Sequence, residues 1–276
     1  MSAAVPGAPA APAAPPAAPA LRCTGLVRSF GGVQALRGAS FSVAAGQVCA
    51  LIGPNGAGKS TAVAIMGGAL RADQGQVELH DTEITGWPSN RIARAGLIRT
   101  YQLSRELGRL TVLENLMVVP YRQAGESLWN VFARPGLVRA EERRHLDRAL
   151  ELLETFGLIR LRDSYASELS GGQKRLLELA RSVMAQPRML ILDEPMAGIN
   201  PALIDKIGEH ILALRDQGVT VLMVEHNLGV VERICDHVIV LAEGATLATG
   251  LMVELREQPA VVRAYLGGAL SDSTSS

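Results

Sequence analysis

Aromatic residues are scarce in this chain, only 4% of 276 residues, and there are only three cysteines. Cys23, Cys49 and Cys235 lie far apart and form no C-x-x-C pair. That excludes a dense disulfide framework and suits free thiols in a reducing cytoplasm. An excess of one charge is also missing, with 27 basic against 27 acidic residues. Without a basic surplus, nucleic acid is not an expected partner. No apolar run approaches the length of a membrane span, so any membrane role must come through a partner. The start lacks the basic stretch and leucine-rich core of a secretory signal. A guanine-reading Asn-Lys-x-Asp is absent too, which argues against a small GTPase. What remains is 48% hydrophobic residues. That suits a well-buried α/β protein, long enough for one large domain or a core with a smaller lobe.

Residues 1–20 are nearly all Ala and Pro, and are expected to form a disordered or extended tail. A strand-rich stretch follows at Leu21–Val27 and Ala39–Val43, turning at Gly31-Gly32 and Ala45-Gly46. Further strands are expected at Val48–Ile52, Gln76–Leu79, Leu97–Tyr101, Met189–Leu192 and Val219–Val224. A short helix is expected over Asn90–Ala95. Between Tyr121 and Glu168 no strand signal occurs. Glu126–Ala133 reads as a short helix broken at Pro135-Gly136. Ala140–Phe156 reads as an amphipathic helix, with Leu146, Ala149, Leu150 and Leu153 inward and Gly157 as its left-handed cap. Thr111 and Glu114 form a capping-box pattern for a helix with Val112, Leu113, Leu116 and Met117 buried. A helical lobe over about 112–185 is therefore inserted into an α/β core.

Gly53-Pro54-Asn55-Gly56-Ala57-Gly58-Lys59-Ser60 fits G-x-x-x-x-G-K-[ST] between an expected strand and the helix opening at Thr61. The glycines let several N–H groups converge on one anion, and the helix start adds its positive dipole end. Lys59 would meet the β- and γ-phosphates, and the Ser60 hydroxyl would bind Mg²⁺. Leu169-Ser170-Gly171-Gly172-Gln173 opens a second anion-ready helix, which is expected to serve another subunit's nucleotide. Asp193 and Glu194 follow a buried strand at the edge where parallel sheets bind ligands. Asp193 would hold Mg²⁺ through its water shell. Glu194 would take a proton from the attacking water. Asn200 and Pro201 supply the cap and first turn of the next helix, so the paired acids are not needed for capping. His226 ends the neighbouring strand, within reach of the γ-phosphate and water. Phe30 would stack on a purine or pack in the core. Gln102, after a strand, reads by itself as exposed polar filler.

Together these motifs resemble the ATP-binding subunit of ABC transporters, over roughly Leu21 to Gly267, with residues 268–276 as a disordered tail. Gly53–Ser60 corresponds to Walker A, Leu190–Glu194 to Walker B and Leu169–Gln173 to the family signature. The resemblance implies Gln102 as the Q-loop, touching Mg²⁺, His226 as the switch histidine and Phe30 as the adenine-stacking aromatic. It also implies a P-loop NTPase core with a mixed or parallel sheet, an antiparallel β lobe and the inserted helical subdomain. Two cassettes would pair head to tail, so that Ser170, Gly171, Gly172 and Gln173 act in trans. Phe30-Gly31-Gly32, Arg99–Gln102, Glu194–Pro201 and Arg263–Gly267 are similar to ATPases of branched-chain amino-acid importers. Urea and short-amide importers share much of this pattern. Lipopolysaccharide-export ATPases are near relatives, and a soluble ABC ATPase is the remaining alternative. Asn200 departs from the Asp that most members carry. Implied partners are a second ATPase, permeases and, indirectly, an external solute-binding protein. The implied location is peripheral, on the cytoplasmic face of the inner or plasma membrane.

Overall fold

The computed structural model describes residues 19–100, 107–120 and 134–264. Strand β1 (Pro19–Phe30) pairs antiparallel with β2 (Val33–Ala44) and β4 (Gln74–Leu79), and β5 (Thr82–Glu83) lies beside β4. The strand begins two residues before the expected boundary, and Ala20 is fully buried. The second sheet contains β3 (Val48–Ile52), β6 (Leu97–Arg99), β7 (Met189–Asp193), β8 (Thr220–Val224), β9 (His237–Ala242) and β10 (Ala245–Gly250). Its order is β10-β9-β3-β8-β7-β6, parallel throughout except for the antiparallel β10.

The parallel strands have an apolar side chain at almost every position because both faces are covered. Val48, Ala50 and Ile52 face one core with Leu190, Leu192, Val221 and Met223. Cys49 and Leu51 face the other with Ile191, Leu222 and Ile239. Helix α1 (Lys59–Met66) packs Ala62, Val63, Ile65 and Met66 into that second core, beside the antiparallel sheet. Helix α2 (Ser89–Arg94) adds Ile92.

The helical lobe contains α3 (Val112–Met117), α4 (Pro135–Thr155) and α5 (Gly171–Met184), joined to the first core. Thr111 and Glu114 form the expected capping box. Pro135 opens α4, five residues before the expected start at Ala140, since proline has no N–H to forfeit in a first turn. The expected inward face is partly corrected. Ala149 and Leu153 are buried, but so are Val138 and Leu152, while Leu146 is exposed. Gly157 adopts φ 69° after the last turn, as expected. The Glu126–Ala133 helix lies outside the described residues. Helices α6 (Pro201–Asp216), α7 (Leu228–Ile234) and α8 (Met252–Leu255) complete the first core. No described helix is long and apolar enough to cross a membrane.

One buried amide ties the lobe's entry together. Asn115 is fully buried, accepts from the Leu107 N–H at 3.0 Å, and donates to the Thr111 and Leu107 carbonyls at 2.9 and 3.2 Å. Asn115→Ala strands those groups, so a loss of about 2 kcal/mol in denaturant unfolding is expected. A change below about 0.5 kcal/mol would contradict it.

Candidate functional site

The C-terminal ends of the parallel strands gather the motifs on one edge. β3 delivers Gly53, β7 delivers Asp193 and Glu194, and β8 delivers Glu225 and His226. β8 lies between the other two, so His226 is one strand from both. The chain leaves β3 through Gly53 at φ 150°, Gly56 at φ 78° and Gly58 at φ 97°. A side chain on Gly58 would sit 2.5 Å from the Ala35 carbonyl. The turn after β9 supports the loop, with the Gly244 N–H donating to the Ala57 carbonyl at 3.2 Å.

A cleft of about 550 Å³ opens over this loop, lined by Asn55 through Thr61 together with Glu194, His226, Val33 and Glu243. The Lys59 ammonium is nearly buried and donates to the Gly53 and Pro54 carbonyls at 2.7 and 3.0 Å. Burial lowers its pKa, and the charges of Glu194 and Asp193 oppose that shift. Helix α1 starts at Gly58 without a side-chain cap, whereas Ser170, Asn200 and Asn227 each cap a helix with a side chain. The first N–H groups of α1 are thus left to a ligand, next to an ammonium and the exposed Ser60 hydroxyl. This donor set fits a triphosphate with its cation.

The His226 Nε2–H donates to Glu194 Oε1 at 3.1 Å. Glu194 has φ 48°, a left-handed conformation that costs a residue with a Cβ about 1–2 kcal/mol. Surrounding bonds hold it there. Its N–H donates to the Val224 carbonyl at 3.0 Å, and its carbonyl accepts from Arg175 Nη2 at 2.9 Å. Asp193 is buried, and its carboxylate pairs with Arg99 Nη2 at 3.0 Å.

The sequence reading missed Arg99, Arg175 and Glu225. Glu225 is buried and accepts from the N–H groups of Met196 at 2.9 Å and His226 at 3.2 Å, joining the loop after β7 to the histidine. Burial raises its pKa, while those backbone N–H groups pull it down. An acid directly after an apolar strand was the available signal.

Not every expected residue meets in the cleft. Ser170 and Gln173 form a reciprocal capping box at the start of α5, at 3.3 and 2.9 Å, and neither they nor Gly171 and Gly172 line it. Phe30 is 48% exposed at the end of β1, with the Arg28 guanidinium 5.0 Å from its ring centre. Val33, across the turn, lines the cleft instead. Gln102 lies outside the described residues.

A family model described as "ABC transporter" matches residues 36–197. The high-affinity branched-chain amino acid transport ATP-binding protein BraF of Pseudomonas aeruginosa is 40% identical over 251 residues, covering 90% of this chain and 98% of the relative. The probable branched-chain amino acid transport ATP-binding protein LivG of Archaeoglobus fulgidus is 38% identical, covering 91% and 97%. A crystal structure of the ADP conformation of an ATP-binding cassette of an ABC transporter superposes with a TM-score of 0.77 at 37% identity, covering 91% and 99%.

Proposed function

This chain belongs to the ABC transporter family, and from that premise we propose that it powers an importer of branched-chain amino acids or related small amides. It is an ATPase. The observation that carries the site is the single cleft where Lys59, Ser60, Glu194 and His226 meet. Lys59 and the open N–H groups of α1 bind the phosphates. Ser60 and Asp193 would hold Mg²⁺, with Gln102 completing the set. Mg²⁺, when bound, neutralises charge on the triphosphate. Glu194 takes the proton of the attacking water, and the His226 imidazole, 3.1 Å away, orients that carboxylate. Asp193, whose Oδ2 pairs with Arg99 at 3.0 Å, would meet the cation through its water shell. Val33 lines the cleft, and the exposed Phe30 ring, across the turn, is the surface on which the base would stack.

The capped but exposed helix start at Ser170, outside the chain's own cleft, supports a head-to-tail pair in which it meets the partner's nucleotide. A groove of about 590 Å³ between α2 and α4, lined by Arg94, Ile98, Val119, Arg144 and Arg148, supports docking of a permease loop. Such docking would place the subunit peripherally on the cytoplasmic face, with cargo chosen by permeases and an external binding protein.

The test is pairing. Sedimentation of the protein, alone and with its companion ATPase, with ATP and no Mg²⁺ should show an ATP-dependent dimer. A monomer at every ATP concentration in both samples would overturn the head-to-tail site.

A further inference from the structure

We propose that Arg175 is a positioning residue that sets the pose of Glu194 and ties it to the helix beginning at Ser170. The proposal rests on Glu194 acting as the base. Arg175 lies on the second turn of α5, two residues beyond Gln173. Its guanidinium has two separate attachments. Nη1 pairs with Glu178 Oε2 at 2.8 Å on the same helix, and Nη2 donates to the Glu194 carbonyl at 2.9 Å. Both side chains of the ion pair are nearly withdrawn from water, at 15% and 14% exposure. Leu179, Leu192, Pro195 and Ile207 surround the pair, so the charge-assisted bond to the carbonyl is strong and directional.

Only arginine offers this geometry. A planar fork lets one arm be anchored while the other reaches out, which a lysine ammonium cannot reproduce. Ion pairing with Glu178 alone would satisfy the charge. The second arm instead reaches the main chain of the acid that faces His226, sharing the Glu194 carbonyl with the Ala197 N–H at 3.1 Å. The Glu194 N–H is held on the other side by the Val224 carbonyl at 3.0 Å. With both flanking peptides pinned, the φ 48° backbone is held where the carboxylate reaches His226 at 3.1 Å.

The connection has a consequence for the pair of cassettes. The start of α5 faces the partner's nucleotide in the proposed dimer, while its second turn grips the base of its own site. A small shift of α5 on closure therefore moves Glu194, and one site's occupancy is felt by the other.

Arg175→Met keeps the side chain's bulk and removes both bonds. A 10- to 100-fold fall in kcat is expected, of the size that misplacing a catalytic group by about 1 Å produces. KM for ATP and ATP-dependent pairing should stay within about twofold, and the Hill coefficient for ATP should drop to about 1. Glu178→Gln, which loosens the anchor only, should give the same pattern more weakly, and it decides the matter if Arg175→Met does not fold. In a Glu194→Gln background, Arg175→Met should cost nothing further, because both act through one carboxylate. Unchanged kcat in a folded Arg175→Met, or an equal loss in both backgrounds, would overturn the proposal. Full turnover in Glu194→Gln alone would instead overturn the assignment of the base, and this proposal with it.

Discussion

Glu194→Gln is expected to lower the ATP turnover number by about 10²–10⁴, the usual contribution of a positioned general base. Binding of ATP should survive, because Lys59 and the α1 N–H groups are untouched. The substitution keeps the size of the side chain and leaves a carbonyl oxygen for the His226 N–H, so the 3.1 Å contact can persist. What it removes is proton affinity. Hydrolysis should therefore stall in the paired, ATP-loaded state, and closed dimers should accumulate. The measurement is phosphate release beside ATP binding by the same preparation. Turnover within threefold of the parent would remove Glu194 from the chemistry.

Gly53→Ala is expected to cost about 3 kcal/mol or more and to abolish nucleotide binding. Two reasons act together. Gly53 has φ 150°, which a side chain resists. A methyl group there would also overlap the Leu241 carbonyl, so β3 or β9 would have to move. Those strands are paired in the middle of the sheet, with Ile52 opposite Val240. At about 2–4 °C per kcal/mol for a chain of this size, the unfolding midpoint should fall by about 10 °C. Gly56→Ala makes a useful contrast. It carries φ 78° but would meet nothing within 4 Å, so only backbone strain of about 1–2 kcal/mol applies. A Gly53→Ala midpoint within about 2 °C of the parent would contradict the packing argument.

What the sequence made legible was local. The phosphate loop, the capping box at Thr111, the helix start at Ser170 and the acids after β7 are each written within a few consecutive residues. Their types and spacing carry the chemistry without reference to the rest of the chain. Contacts that position the site are of another kind. Arg99 meets Asp193 across 94 residues, Glu225 meets Met196 across 29, and Arg175 meets Glu194 across 19. No short pattern announces them, because the fold brings the partners together. Helix α4 shows a subtler limit. Leu146 has the right period for the buried face, yet it is 37% exposed while Leu152 is buried. Leu146 lies mid-helix, short of the stretch where Ala149, Leu152 and Leu153 join the core. The start of that helix was expected at Ala140, five residues late, because a proline can open a helix as well as end one.

The alternation of β3 between two oily layers has a further effect on fidelity. Sliding this strand by one residue would send Ala50 where Leu51 belongs and carry the loop about 3.3 Å along the sheet. A strand with one wet face resists such slippage from one side only. Here an error leaves a hole in one layer and a clash in the other. The height of Lys59 above the sheet is therefore set by misfit penalties from two directions, well before any ligand arrives.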